Sequence, residues 1–227
     1  MSLFASLQSL AGGLPAAVFE PGGDAATALY IVAFSLFIIG IKQGTHPTSA
    51  KRGNLIAAGG MAIAVVTTLL LDGMGNWGIL FGALLVGSAI GVVASLRVQM
   101  TEMPQMVALY NGVGGGAVAL IAWSEIRHGI AGGHEIPLDE LIPILFAAVV
   151  GSVSFWGSNI AFAKLQDLIP TKPLAIPGQQ VVNALLLIGI VVACVLIASN
   201  NDDPPEEIFI LVLLAAALLG NLVVLPI

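Results

Sequence analysis

Long apolar runs alternate with short polar segments along almost the whole chain. A helix needs about 20 apolar residues to cross the hydrocarbon core of a bilayer. Seven runs have about this length: Ala25–Ile41, Asn54–Leu71, Trp77–Leu96, Pro104–Ser124, Leu141–Ala163, Val181–Ser199 and Ile208–Ile227. None contains Asp, Glu, Lys, Arg or His, and none shows the polar–apolar alternation of barrel strands. The pattern predicts an all-α polytopic membrane protein, a bundle of about seven transmembrane helices over residues 25–227.

Composition agrees with this class. Of the 227 residues, 58% are hydrophobic and 9% are charged, whereas a soluble domain has about 25% charged residues. Residues 1–24 are less regular, because Gly12, Gly13 and Pro15 interrupt a moderately apolar stretch. This stretch lacks the basic start of a cleaved signal peptide. We interpret it as an N-terminal arm or an interfacial segment.

The connections between the runs differ in charge. Six of the seven basic residues lie in the odd-numbered connections, and the even-numbered connections hold only Arg127. The six are Lys42, Lys51, Arg52, Arg97, Lys164 and Lys172. We call their side the basic side, and the opposite side, which holds every acidic residue except Glu102 and Asp167, the acidic side. Because Lys and Arg accumulate in cytoplasmic loops, we predict an outside N-terminus and a cytoplasmic C-terminus.

Several short motifs suggest the chemistry of soluble enzymes but lie in the wrong context. Gly112–Ala117 fits the dinucleotide pattern G-x-G-x-x-G/A, which has meaning only between a strand and a helix, and it lies inside an apolar run. His46, His128 and His134 lie in different connections without metal-ligand spacing. The single cysteine, Cys194, is interpreted as a small apolar core residue. We therefore predict no catalytic residue, metal site or nucleic-acid partner for this chain.

The fourth run carries the most specific pattern. It contains a seam of small residues and a GxxxG pair, namely Ala108, Gly112, Gly115, Gly116 and Ala119. Such seams let membrane helices approach closely, and Gly87 and Gly91 repeat the GxxxG spacing in the third run. Asn111 borders the seam at about 10 Å from the basic-side end, given a rise of ~1.5 Å per residue. An amide at that depth needs partners, so it either bonds a neighbouring helix or faces a hydrated path.

Other polar side chains within the runs are candidates to support Asn111. The four predicted supporting residues are Tyr110, Ser158, Asn159 and Asn183. Ser152 and Asn221 add further polar groups at depths that the sequence does not define. The only ionisable groups inside the runs are Tyr30, Tyr110 and Cys194, all of them weak acids. A proton path through this chain would therefore depend on water.

Several ordered segments resemble the membrane domain of the β subunit of proton-translocating NAD(P) transhydrogenase. The most specific is Met100–Ala117 (MTEMPQMVALYNGVGGGA). The others follow in the order of the family: His46–Asn54, Gly73–Asn76, Gly157–Leu165 and Lys172–Gln179, the last followed by Asn183. The resemblance covers Ala25–Ile227 and implies a role for one residue. Asn111 matches the family position, His or Asn, that lines the proton path, but an amide does not titrate and can only orient water or pass a hydrogen bond.

The resemblance also implies a function and partners. The membrane domain would couple proton movement to hydride transfer from NADH to NADP+, carried out by separate soluble domains. The implied partners are the lipid bilayer, the α subunit with its NAD(H)-binding domain, further C-terminal helices and an NADP(H)-binding domain, in a dimeric enzyme of a bacterial inner (plasma) membrane. Because those C-terminal parts would follow Ile227, we expect this chain to be a fragment or a split gene product. We expect it to bind neither nucleotide and to be catalytically incomplete alone.

Other functional classes are less consistent with the sequence. A seven-helix retinal protein needs a lysine in its last span for the Schiff base, and Ile208–Ile227 has none. A small transporter or channel lacks the intramembrane charge that marks an ion site. A structural membrane subunit without redox coupling stays open as an alternative.

Overall fold

A computed structural model describes residues 20, 22–71, 76–132, 136–170, 172, 178–200 and 205–226. Within these residues the backbone forms seven helices that are long and apolar enough to cross a membrane. They are α1 (Asp24–Gly44), α2 (Ala50–Leu69), α3 (Trp77–Arg97), α4 (Met103–Gly132), α5 (Leu138–Leu165), α6 (Gln179–Ser199) and α7 (Glu206–Val224). A short 3-10 turn, Met100–Glu102, leads into α4. The predicted all-α fold class is confirmed, whereas most of the predicted N-terminal arm and His134 lie outside the described residues.

Two helices extend furthest beyond the apolar runs that predict them. α4 has 30 residues and α5 has 28, so their ends include charged residues that the run boundaries place in connections. Arg127 and His128 lie within α4, and Lys164 lies in the last turn of α5. Charged side chains are compatible with the ends of membrane helices, where they reach water or polar partners.

Contacts divide the chain into two units, residues 1–91 and 92–227, with the division inside α3. In the first unit, α1 and α2 pack against each other through small residues. A Cβ added to Gly53 would lie 2.6 Å from the carbonyl oxygen of Gly40, so the two backbones are in direct contact. The Tyr30 hydroxyl and Thr68 Oγ1 are 2.8 Å apart and join the same two helices with a hydrogen bond.

In the second unit, α5 is the central helix. It packs against α4 on one side and α7 on the other, while α6 packs mainly against α7. Toward the acidic side, these helices bury an apolar core in which Ile126, Leu141, Ile197 and Phe209 are each 0% exposed. These four residues come from α4, α5, α6 and α7 respectively. This core determines which helix faces which neighbour.

Glycines bring the backbones together further along the same helices. A Cβ added to Gly151 of α5 would lie 2.6 Å from the Gly115 carbonyl oxygen and 2.8 Å from the Ala119 nitrogen, both on α4. On the other face of α5, a Cβ added to Gly220 of α7 would lie 2.5 Å from the carbonyl oxygen of Val153. Backbone atoms cannot move away locally, so α5 needs small residues at both of its crossings.

The Gly151 crossing generates a test of this packing. We expect Gly151→Ala to lower the stability of the protein in detergent by about 1–3 kcal/mol, the usual cost of overpacking a tight interface. Gly114→Ala is the matched control, because no described atom lies within 4 Å of a Cβ at Gly114 of α4. The measurement is the thermal unfolding midpoint of each purified variant. Equal midpoints for the two variants would contradict the close approach of α4 and α5.

Candidate functional site

The Asn111 side chain joins α4 to α5 through two hydrogen bonds. Its amide nitrogen Nδ2 donates to Ser158 Oγ at 2.7 Å and to Ser154 Oγ at 3.1 Å. An asparagine amide has two N–H donors, so both are used within this cluster. We call these three residues, Asn111, Ser154 and Ser158, the amide–serine cluster.

The glycine seam of α4 creates the space for the two serines. Ser154 and Ser158 are four residues apart, so they lie one above the other on the face of α5 that faces α4. A Cβ added to Gly115 would lie 2.8 Å from the Cβ of Ser154, and one added to Gly112 would lie 3.2 Å from the Cβ of Ser158. The small residues therefore bring α5 close enough for its short serine side chains to reach the amide.

The cluster keeps unused hydrogen-bonding capacity. Among the described residues, nothing donates to Asn111 Oδ1, and neither serine hydroxyl donates its own hydrogen. The cluster can therefore accept up to two hydrogen bonds at the amide oxygen and donate from two hydroxyls. Asn111 is exposed at the surface of its unit, whereas the adjacent Gly112 is buried against α5. The amide oxygen is thus the open end of the cluster.

The other predicted residues differ in their surroundings. Tyr110 is exposed and has no hydrogen bond to a described residue, and Asn159 donates to the Phe155 carbonyl oxygen of its own helix at 2.9 Å. Asn183 Oδ1 is buried without a partner among the described residues. The structure therefore brings only Ser158, of the four predicted supporting residues, into contact with Asn111.

The predicted glycine pairs also differ from each other. A Cβ on Gly116 of α4 would lie 2.8 Å from the Phe155 ring of α5, so Gly116 packs at the same crossing as Gly112 and Gly115. By contrast, no described atom lies within 4 Å of a Cβ on Gly87 or Gly91 of α3. The spacing is the same in both helices, but the described structure shows a partner only for the pair in α4.

Sequence reasoning missed two residues near the site. Ser154 was not singled out, although its position one helical turn before Ser158 is a usable signal for a shared face. The apolar run boundaries place Lys164 in a connection, but it is only 6% exposed and its ammonium group binds carbonyl oxygens at the end of α7. No local pattern marks this burial, because the carbonyl of Val224 comes from a helix end 60 residues later.

The acidic-side ends of α4 and α7 are joined by a second polar cluster. Glu206 Oε1 accepts a hydrogen bond from Trp123 Nε1 at 3.2 Å and lies 3.5 Å from Arg127 Nε. Between this cluster and Asn111, the contact of Gly115 with Gly151 closes the seam between α4 and α5. The two polar clusters are therefore separated by packed backbone.

The dinucleotide-like pattern has a structural role instead. Gly112, Gly115 and Gly116 lie in the middle of α4 and pack against α5. Backbone N–H groups in the middle of a helix are bonded within it, whereas a phosphate site needs the free N–H groups of a helix N-terminus. This segment therefore does not fit a dinucleotide.

Comparisons with known proteins agree with the architecture. The sequence matches the family model described as NAD(P) transhydrogenase beta subunit over residues 26–227. It is 38% identical over 156 residues to the NAD(P) transhydrogenase subunit beta of Rhodospirillum rubrum, in an alignment that covers 67% of this chain and 34% of the relative. A second Rhodospirillum rubrum protein of the same description gives the same values. The chain therefore spans about a third of the length of the curated relatives it matches.

The hydrogen bonds of the cluster predict a measurable coupling between Asn111 and Ser158. In a double-mutant cycle with Asn111→Ala and Ser158→Ala, we expect a coupling energy of about 0.6–1.7 kcal/mol, the range of side-chain hydrogen bonds between membrane helices. The cycle is measured from unfolding free energies in detergent micelles. Asn159→Ala replaces Ser158→Ala in the control cycle, because among the described residues Asn159 forms its side-chain hydrogen bond within its own helix. A Ser158 coupling no larger than that of Asn159 would contradict the geometry.

Proposed function

Because this chain belongs to the NAD(P) transhydrogenase beta subunit family, we propose that it forms part of the proton path of a proton-translocating NAD(P) transhydrogenase. In this proposal the amide–serine cluster holds a hydrated proton on its way across the membrane, and we call it the proton station in this sense. Hydride transfer from NADH to NADP+ is carried out by soluble domains of the same complex, which bind the two nucleotides. The beta subunit is the membrane part of a proton-translocating enzyme, and seven described helices are suited to that location.

The observation that carries the proposal is the state of the Asn111 amide. Both of its N–H groups are held by Ser154 and Ser158, and its oxygen accepts nothing from the described residues. In a membrane helix, a polar group without a partner in the protein is costly unless it meets water or another polar group. An amide that is oriented by two serines and open at its oxygen is suited to hold a hydrated proton.

The cluster can move a proton without being ionised itself. Asn111 Oδ1 accepts a hydrogen bond from a protonated water and keeps it beside the serines. A serine hydroxyl accepts a proton at an oxygen lone pair as it releases its own hydrogen to the next acceptor. The hydroxyl is restored and the excess proton has advanced, so the cluster ends with the same charge. No proton is stored on the amide, in contrast to an imidazole at the same position.

The packing supports one route past the cluster. The α4–α5 seam is closed on the acidic side of Asn111 by the contact of Gly115 with Gly151. Asn111 itself lies at the exposed surface of its unit. We therefore place the path along the exposed side of the amide–serine cluster, and not through the Gly115–Gly151 crossing.

The charge of the connections supports an orientation in the membrane. With the basic side in the cytoplasm, the ends of α5 and α7 near Lys164 and Leu225 lie on the cytoplasmic side. We propose that the NAD(H)- and NADP(H)-binding domains are located on this side. In this arrangement, the α subunit and the rest of the enzyme complete the complex in a bacterial inner membrane, as a dimer.

Replacing the amide tests the proposed station. We expect Asn111→Leu to abolish proton-coupled hydride transfer in membranes that contain this chain with the rest of the transhydrogenase, because leucine cannot orient a hydrated proton. The measurement is NADP+ reduction by NADH together with proton movement across the vesicle membrane. Val113→Leu is the control, since Val113 is an exposed residue of the same helix. Normal coupled turnover in Asn111→Leu would favour a structural role for the helix bundle.

A titrating side chain at the same position tests the chemistry. We expect Asn111→His to keep coupled turnover and to add a pH dependence near the ordinary imidazole pKa of about 6.5, because imidazole can hold the proton that the amide only passes. Rates are compared across pH with those of the unchanged protein. An Asn111→His profile identical to that of the unchanged protein would show that this side chain does not contact the moving proton.

A further inference from the structure

Lys164 is a buried cation that the proposed proton path does not use. Its side chain is 6% exposed, and its ammonium nitrogen donates to the carbonyl oxygens of Val224, at 3.4 Å, and of Leu225. Among the described residues it forms no ion pair. Buried lysines usually pair with a carboxylate. Because the described partners of Lys164 are backbone carbonyls instead, we infer that its role is to bind the end of α7.

These carbonyls belong to the last turn of α7. The final carbonyl groups of a helix lack partners within the helix and carry the negative end of its dipole. Gln179, at the start of α6, donates to a third carbonyl of the same turn, that of Leu222. Side chains from two neighbouring helices therefore satisfy the end of α7 where it leaves the membrane.

The start of α4 is also joined to this group of helix ends, through the end of α5. Gln105 Nε2, near the start of α4, donates to the carbonyl oxygen of Leu165 at 3.1 Å. Leu165 directly follows Lys164, so the ends of α4, α5, α6 and α7 are joined on the basic side by three polar side chains. We call this set, Gln105, Lys164 and Gln179, the basic-side clamp. Lys164 is its only charged member and binds two carbonyls.

The clamp and the amide–serine cluster share α5. Ser158 and Lys164 are six residues apart, or about 9 Å along the helix axis. One face of α5 presents the two serines to Asn111, and another face presents Gly157 to Gly220 and Lys164 to the end of α7. A helix transmits an axial shift along its length, so movement of the α7 end against α5 and movement of the serines against Asn111 are mechanically linked.

From this geometry we propose that Lys164 is a positioning residue for proton-coupled hydride transfer. It fixes the last turn of α7 against the helix that supplies Ser154 and Ser158 to Asn111. The inference rests on the proposed function and adds a link between the proton station and the segment that follows α7. Without the ammonium group, the end of α7 becomes loose and proton movement is no longer tied to hydride transfer.

The first test measures the end of α7 directly and does not depend on activity. Leu225→Cys is introduced together with Cys194→Ala, and the assembled enzyme in lipid nanodiscs is labelled with a water-soluble maleimide. We expect Lys164→Met to accelerate labelling by about tenfold or more, the factor that corresponds to a lost hydrogen bond from a charged donor. Lys164→Arg should label close to the original rate, because a guanidinium group can also donate to carbonyl oxygens.

The second test measures coupling. In sealed vesicles, we expect Lys164→Met to lower the number of protons moved per hydride transferred by at least half, while NADP(H) binding to the complex is retained. A merely structural role would lower proton movement and hydride transfer in parallel with the amount of folded protein and would leave their ratio unchanged. Lys164→Arg should restore the ratio. Lys42→Met is the matched control, because Lys42 is exposed at the basic-side end of α1.

The outcomes distinguish a failure of the proposed clamp from a failure of the proposed proton station. Unchanged labelling in Lys164→Met, relative to Lys42→Met, would overturn the clamp. Faster labelling with an unchanged proton-to-hydride ratio would overturn the positioning role. If Asn111→Leu keeps normal coupled turnover, the proposed function itself fails, whatever Lys164→Met does to the end of α7.

Discussion

Polar groups inside a bilayer have no water to bond, and this constraint explains most of the structure. Backbone groups meet it within the helices, and the remaining groups are those at helix ends and on polar side chains. In the second unit several of these groups bond one another, although the buried Oδ1 atoms of Asn183 and Asn221 have no partner among the described residues. Lys164 and Gln179 bind carbonyls of the last turn of α7, and Gln105 binds the carbonyl of Leu165. Helix ends that would otherwise need water are satisfied by neighbouring helices.

Close approach of helix backbones makes such side-chain bonds possible. Gly151 brings α5 against α4, and Gly157 with Gly220 brings it against α7. Serine is a short side chain, so Ser154 and Ser158 reach Asn111 only because glycines face them across the interface. The polar cluster therefore depends on the glycine seam, because the seam brings the two helices close enough for the serines to reach Asn111. Two faces of α5 approach a neighbouring backbone through glycines in this way, one facing α4 and the other facing α7.

The two polar regions of the second unit have different chemistry. On the acidic side, Glu206 accepts a hydrogen bond from Trp123. It also forms a partly exposed ion pair with Arg127, the kind of contact that contributes little to stability when water is near. Toward the basic side, the amide–serine cluster is neutral, and Lys164 binds, among the described residues, the carbonyl oxygens of Val224 and Leu225. In the proposed function, the neutral cluster passes protons without trapping them, and in the further proposal the ammonium group of Lys164 holds helix ends in place. The two proposals therefore assign proton movement and mechanical connection to separate side chains.

The sequence by itself determined the fold class, because a run of about 20 residues without charge has no stable alternative to a membrane helix. It also predicted the small-residue face of α4 and singled out Asn111, since helical periodicity and polarity are local properties. It could not identify which neighbour each face meets. Gly87 and Gly91 have the same spacing as Gly112 and Gly116, yet the described structure shows a partner only for the α4 pair.

The tertiary structure alone decided the partners of the polar groups. The two serines that bind Asn111 lie 43 and 47 residues away in the chain, and the Val224 carbonyl that Lys164 binds lies 60 residues away. Charge patterning places such a lysine in a connection, because a lysine at a helix end usually extends to water. Here the carbonyls of α7 replace that water, and their position depends on packing between distant helices, which no local pattern encodes.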